Sequence, residues 1–593
     1  MRVIKKRMNA PASRRALPFL GAISALATAI VLIANMSALA HVPTDPLHGG
    51  TGVGAKVIGH SDLGGGGLNG NVAVLGNTAF VGQGTNGGFA AQWNKTPTCK
   101  AGGGPTSNVK VVDLTSPASP TLISTIPIGS GAQRRLTLAR DVAAIHVSTP
   151  AFTGDVLAVG LERCNNDTGG DSGVEFYDVT DPAAPKLLSK DLRNMGQAFN
   201  TATRQVTLVS RPSDGRVFAL EANNGVDPDD SGIQVLDITD PKHPQQVGTF
   251  PQGQFPSVDT SRIQECRPFN FAQGVSSNAA GTTAYAAFYD KGLFRLDISN
   301  PTGTLPALSQ TQYPVSEEGN SFRFVPNDSE TTALATDEDL NPAKTSLTVT
   351  SGSASQFTEP GGTGPGVFRG CEAIWGAGAP NTGPLYRRTA PSVTSQVVFA
   401  PNGGCDPSDF AAVDSTGKIV LVFRGGTLAS GDICGFEDKA RFAQQDGAAA
   451  LLVGNSAADH HGGASGFLFS VDSVSPADAG ITLPVVLITR EARDAIRNSQ
   501  IAGDTVTATL ADSPDTWGAL RIVNLAGGSP IQVGVFNAPH TTVLTPGDGL
   551  YHAVNPLWAG NQAVVAWMSD GLRVVDAGTP AAPKGRAFYV PPA

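Results

Sequence analysis

Catalytic signatures are what this 593-residue chain lacks. It contains no His-Glu-x-x-His and no Gly-x-Ser-x-Gly, so neither a helical zinc-peptidase site nor a nucleophile elbow is written in it. No Cys-x-x-Cys pair and no Cys/His cluster at zinc spacing occurs, which argues against a structural zinc site. The run "DLGGGGLNG" from Asp62 lacks the Lys-Ser/Thr of a phosphate loop and reads as a connector. After residue 40 there is no stretch of eighteen unbroken apolar residues, so the mature chain is expected to need no membrane. Cysteine is scarce as well. Cys99, Cys164, Cys266, Cys371, Cys405 and Cys434 all lie beyond residue 40, an even set that suits disulfides in an oxidising compartment.

The first forty residues explain that compartment. "MRVIKKRMNAPASRRA" carries six basic residues and no acid, an apolar run follows, and "SALA" ends in a signal-peptidase pattern, so residues 1–40 are expected to be removed ahead of His41. An uncleaved anchor is the alternative, since the run is long enough to reach across a bilayer. Without the leader the chain keeps 35 of its 41 basic residues against 50 acidic, a net charge of −15 with neutral histidine. That balance argues against nucleic acid as a partner, because duplex binding requires a positive surface to displace counterions.

What is present is a repeat. "NVKVVDLTSPASP", "GVEFYDVTDPAAP", "GIQVLDITDPKHP", "GLFRLDISNPTGTLP", "ALRIVNLAGGSP" and "GLRVVDAGTPAAP" each read as an alternating strand, an Asp or Asn, and a turn. With the flanking apolar segments this makes about four strands per unit, the content of a propeller blade. The anchor residues Asp113, Asp178, Asp237, Asp297, Asn524 and Asp576 are spaced 65, 59, 60, 227 and 52 apart. The fourth interval exceeds one repeat by about 167 residues, so a domain is inserted inside one unit. "GDSG" at Gly170–Gly173 matches the run around a trypsin-like nucleophile, but it aligns with "DDSG" and "YDKG" of the neighbouring units. Ser172 is therefore read as a turn residue, and Gly173 as the positive-φ position of a hairpin.

These units resemble the LVIVD-repeat β-propellers, over roughly residues 55–340 and 513–593. The resemblance implies a mainly β fold of about six blades, with a seventh from the 41–66 region left open. Residues 344–512 have another pattern. "GKIVLVFRGG" reads as a buried strand, "GFEDKARFAQQDGAAA" as an amphipathic helix, "LLVGN" as a strand, and "LPVVLITREARDAIRNS" as strand then helix. The segment resembles the protease-associated (PA) domain, on Gly417, Arg424, Gly425, Cys434, Phe436, Lys439, Gly447 and Pro484. That resemblance implies a Cys405–Cys434 disulfide and a noncatalytic α/β module that binds protein or peptide. The expected organisation is a signal peptide at 1–40, propeller at 41–343, PA insert at 344–512 and propeller again at 513–593.

Two constellations are candidates for chemistry. His146 and His552 each stand at the start of a blade's first strand, with Asn270 as their counterpart in the fourth unit, and first strands line a propeller's axis. They are read either as converging on one mouth or as satisfied within separate blades. Acidic loops offer Asp227 and Asp229, and then Asp337 and Asp339, as weak calcium candidates, with solvated turn residues as the alternative. No other cofactor is expected. The expected function is an exported, noncatalytic scaffold for a protein or peptide, in the periplasm, at the cell surface or outside the cell. The alternatives are a metal-dependent enzyme at the axial mouth and an accessory subunit of an extracellular peptidase.

Overall fold

The computed structural model describes residues 52–591, apart from 64–68, 84–107, 132–133, 135–136, 164–169, 194–201, 226–230, 252–270, 312–319, 340–343, 360–361, 376–384, 386–387, 389, 457–471, 474–479, 514–515 and 542–550. The leader, Asn270, Asp227, Asp229, Cys99, Cys164 and Cys266 lie outside these residues.

Six four-stranded antiparallel units stand among the described residues. Their first strands are Asn69–Leu75, Thr137–Ser148, Ala202–Arg211, Gly274–Ser277, Ser321–Pro326 and Val554–Ala559. Their third strands are the repeat itself: Asn108–Asp113, Gly173–Asp178, Gly232–Asp237, Leu293–Asp297, Leu520–Asn524 and Leu572–Asp576. Neighbouring units pack face to face through small apolar cores. Val156, Ala158 and Phe176 of the second unit meet Val206, Ala219 and Leu236 of the third. Leu220, Ile233 and Phe250 of the third meet Val275, Phe288 and Phe294 of the fourth. Alternation of the strands supplies both faces, so each sheet is apolar on both sides and cannot be stable alone. From the 41–66 region, Gly52–Val53 pairs with Lys584–Tyr589 as a fifth strand on the outer edge of the last unit.

The repeat's carboxylate has one structural task. Asp113, Asp178, Asp237, Asp297, Asn524 and Asp576 each accept a hydrogen bond through Oδ1 from the backbone N–H two residues on, at 2.8–3.0 Å. Asn524 differs from the other five in sequence and makes the same bond, so the cap itself needs an acceptor oxygen and not a charge, although Asp237 and Asp576 also pair with Arg216 and Arg586. Asp297→Ala should therefore cost about 1 kcal/mol, read as a shift in denaturation midpoint, while Asp297→Asn should cost little.

The insert springs from the fifth unit. Thr332–Asp337 pairs antiparallel with Leu520–Asn524 although 182 residues separate Asp337 from Leu520. Between them lies a closed seven-stranded barrel running from Lys344–Val349 to Thr507–Asp512. Its parallel strands Ile419–Phe423, Ala450–Gly454 and Val485–Ile488 are fully or nearly fully buried, and α1 (Pro407–Ala411), α2 (Phe436–Gln445) and α3 (Arg490–Ile501) lie outside. Ala440 and Ala443 of α2 pack on Val420, Val422 and Leu451, while Ile419, Leu421 and Leu452 face Ala492 and Ile496 of α3. The strands alternate their side chains between these two cores.

Asp512 ends the last barrel strand, and burial pushes its carboxyl up to about 6 against a bond from the Ser513 N–H. A carboxyl raised in the fold contributes stability below its unfolded pKa near 4, and loses it as the pH climbs through about 6. Asp512→Asn should match the parent at pH 4 and exceed it at pH 8 by about 1–2 kcal/mol after allowance for its partial exposure, in paired thermal melts.

Candidate functional site at the propeller axis

Five of the six first strands deliver one side chain to the axis, and an irregularity in the strand does the aiming. Register shifts occur between Asn69 and Val72, Ala139 and Asp141, Thr203 and Gln205, Ser321 and Arg323, and Val554 and Leu557. A bulge adds a residue on one strand and turns its side chain off the regular alternation. The residues so placed are Asn71, Asp141, Gln205, Arg323 and Asn555, and they join across the units. Asn71 donates to Asp141 Oδ1 at 2.7 Å, and Asn555 Nδ2 donates to Asn71 Oδ1 at 2.5 Å. Gln205 Nε2 and Arg323 donate to Asn555 Oδ1 at 3.1 and 3.2 Å. Asp141 Oδ2 takes the buried Val206 N–H at 2.8 Å. In the fourth unit the equivalent residue is Gly274, where a Cβ would lie 2.3 Å from the Phe322 carbonyl and 2.6 Å from Gln205 Oε1. Only glycine leaves room for the plug. Burial pushes the Asp141 carboxyl up, with Arg323 and its hydrogen bonds opposing.

On the side where the first strands begin, a charged layer covers this plug. Arg140 Nε lies 3.6 Å from Glu162. Tyr289 donates to Glu338 Oε2 at 2.9 Å, and His552 Nδ1 lies 3.4 Å from Glu338 Oε1. Phe271 stands edge-on to Tyr289 at 4.9 Å and under the Arg204 guanidinium at 5.4 Å. Trp517 flanks His552 at 5.4 Å. Burial pushes Glu338 up, but His552, Arg140 and the Tyr289 hydroxyl outweigh it and hold the carboxyl below its ordinary value. Burial and the neighbouring Arg140 push Arg204 down. Buried Arg204 Nε, and both side-chain polar atoms of buried Gln273 and Asn320, make no hydrogen bond to the described residues. Two arginines and two glutamates balance, so the layer suits a neutral or dipolar polar group.

The residues singled out in the sequence do not all meet here. His552 is wholly buried in the layer, three residues before Asn555. His146 lies five residues after Asp141, towards the far end of its strand, exposed and bonded to Asp155 at 2.6 Å. At about 3.3 Å per residue the two histidines stand about 25 Å apart along the axis, on opposite sides of the plug, so they form no pair. Asp337 and Asp339 are buried, not solvated turn residues, and Asp337 takes a hydrogen bond from Arg521 Nε at 2.5 Å. Among the described residues no group of three or more His, Cys, Asp or Glu is placed to hold a metal ion. Ser172 is buried and its hydroxyl donates to the Arg193 carbonyl at 2.7 Å, a turn residue as expected. The plug residues were missed, although "ARDV", "TRQV" and "FRFV" share a polar interruption of an apolar strand that marks the bulge.

In the insert, Gly417, Gly425 and Gly447 have φ of +68°, +85° and +79°, turns that side chains disfavour. Arg424 donates to Asn455 at 2.9 Å, the Pro484 carbonyl accepts from Leu451 N, and Phe436 opens α2. Cys405 and Cys434 form a disulfide, and Cys371 is also disulfide-bonded.

The PA-domain model matches residues 393–496 and the LVIVD-repeat model residues 277–309. The chain thus carries an LVIVD repeat and a PA domain in a mainly β fold. No curated protein matches it. Among solved structures it is similar to an aminopeptidase from Aneurinibacillus sp. strain AM-1, at 21% identity over 32% of this chain and 36% of that one, with a TM-score of 0.20. BSAP, a zinc aminopeptidase from Bacillus subtilis, matches at 20% identity over the same shares, TM-score 0.19. The β-propeller domain of Cps50 (Swd1) from Myceliophteria thermophila matches at 10% identity over 52% of this chain and 67% of that one, TM-score 0.27. The LVIVD propeller chain thus spans about a third of the length of the two aminopeptidases. No helix among its described residues is long and apolar enough to cross a membrane.

Proposed function

We propose that this protein is an exported binding scaffold in which the propeller's axial mouth and the PA barrel hold one protein or peptide partner together. The observation that carries the reading is where the barrel is rooted. The strands that bear it continue past their ends as a ladder, Asp337 N to Ala519 O and Asp339 N to Trp517 O, both at 3.1 Å. Glu338 and Trp517, on these two stems, are themselves members of the charged axial layer. The insert therefore rises from the rim of the mouth, and a ligand bridging both would gain from a short intramolecular second contact. Disulfides at Cys405–Cys434 and Cys371 support an oxidising compartment.

The test is a peptide-display selection on the whole mature protein. Selected peptides are then titrated against a version in which a short Gly-Ser link replaces residues 344–512 and whose melting confirms a folded propeller. Affinity at least about tenfold weaker without the insert is expected. Peptides that bind both versions equally, or a selection that yields none, would overturn the reading.

A further inference from the structure

A buried cation sits against the PA disulfide. Lys439, in the first turns of α2, is wholly buried, and its Nζ lies 3.1 Å from Cys405 Sγ. The same ammonium donates to the carbonyls of Gly403, at 2.5 Å, and Gly425, at 2.8 Å, so its position is fixed by three partners. Burial pushes its pKa down to about 8, with Asp409 and Asp438 opposing, which leaves it protonated at neutral pH. Among its hydrogen bonds to described residues, Lys439 reaches Cys405 Sγ and not Cys434 Sγ. The disulfide is therefore electrostatically lopsided.

The surroundings of the two sulfurs differ in the same sense. A Cβ on Gly426 would lie 2.5 Å from Cys405 Sγ, so main chain walls that sulfur while Lys439 caps it. Cys405 N donates to Asp409 Oδ2 at 3.1 Å, which anchors its backbone to α1. Cys434 instead follows a small exposed hairpin, bridged at Thr427 and Ile433 and closed by Leu428 N to Asp432 O at 2.9 Å. Ile433, next to Cys434, is 87% exposed, while Cys434 itself is 4% exposed and Cys405 7%, so the hairpin and not the sulfur faces solvent. Cys434 precedes α2, whose positive end would favour a thiolate there, but that end is already engaged. Asp438 Oδ2 accepts from Gly435 N at 3.0 Å, and Glu437 and Asp438 both lie in the first turn. A negative charge is thus stabilised on Cys405 and opposed on Cys434.

We propose that Cys434 is a thiol-exchange site, with Cys405 as the leaving group and Lys439 as the residue that holds the departing thiolate. A small thiolate attacks Cys434 Sγ, a new sulfur–sulfur bond forms there, and the Cys405–Cys434 bond breaks with its electron pair on Cys405. A second thiol then attacks the mixed disulfide, leaving two cysteine thiols in the protein and one oxidised disulfide of the small thiol. A better-stabilised leaving thiolate departs faster, and it decides which sulfur is attacked. Movement of the 427–433 hairpin uncovers Cys434, and exchange frees the loop between residues 405 and 434. Access to the PA face near Ile433 then depends on the thiol state of the surroundings.

The probe is glutathione, applied in limiting amount to the whole mature protein and quenched with an alkylating agent, followed by peptide mass spectrometry. The glutathione adduct is expected on Cys434 and the alkyl group on Cys405, by at least about tenfold. In fully reduced protein, Cys405 should alkylate with a midpoint at least about one pH unit below that of Cys434. Lys439→Met should abolish both preferences and Lys439→Arg should keep them, which separates charge from packing. An adduct on Cys405, an even split, or coincident alkylation profiles in the wild-type protein would overturn the proposal. These wild-type readouts decide the matter even if Lys439→Met does not fold.

Discussion

Asp141→Ala is expected to destabilise the propeller by about 3–5 kcal/mol, among the largest effects available to a single side chain in this protein. The carboxylate is 3% exposed and takes hydrogen bonds from Asn71 and from the buried Val206 N–H. Its removal orphans that N–H at about 1–3 kcal/mol, loses the Asn71 bond, and leaves Arg323 without its countercharge. Asp141→Asn still offers an acceptor to Val206 and should cost about half as much. Denaturant unfolding of the two variants measures the ordering, and equal costs would show that charge alone matters at this site. Because Asn71 in turn accepts from Asn555, the loss should also loosen the contact between the first and last units, seen as faster hydrogen exchange in Asn69–Leu75 and Val554–Ala559.

Gly173→Ala is expected to be nearly as damaging, at about 4 kcal/mol. Its φ of +113° is a conformation that costs a side-chain-bearing residue about 1–3 kcal/mol. An added Cβ would also stand 2.1 Å from the Asp191 carbonyl, an overlap worth about another 1–3 kcal/mol when the backbone must shift. Gly232, Gly292 and Gly571 hold the corresponding turns at φ of +103°, +88° and +74°, so the requirement is a property of the repeat. Ser172→Ala is the informative partner experiment. It loses one hydrogen bond to Arg193 O and should cost about 1 kcal/mol. A reversed order of the two costs, by calorimetry, would refute this account of the turn.

Legibility in the sequence followed the range of the interactions. The third strands and their Asp or Asn caps are local, each set by residues within a few positions of one another, and recur six times, with the glycine turn in four of the six. The insert was visible because its spacing broke that recurrence between Asp297 and Asn524. Cys405 with Cys434 came from the PA resemblance and stands in the structure. The axial site behaved otherwise. Asn71 and Asn555 touch although 484 residues separate them, and no local pattern pairs them. His146 and His552 looked equivalent as histidines near first strands, yet the bulges at Asp141 and Asn555 place one before the plug and one after it. Asp337 and Asp339 read as solvent-exposed loop acids and are buried: Asp339 N bonds to Trp517 O across the chain, and Arg521 reaches Asp337 from the neighbouring strand.

By itself, then, the sequence determined the strand repeat and the turn chemistry, which rest on contacts short in sequence or on a periodic pattern, and, through the PA resemblance, the inserted α/β domain and its disulfide. Only the tertiary structure decided which side chains meet at the axis, that Glu338 and Trp517 beside the insert belong to the axial layer, and that Lys439 stands against Cys405. The physical reason is closure: bringing six sheets round one axis makes neighbours of residues that strand alternation and spacing leave independent, and one added residue per strand redirects the side chains that face inward.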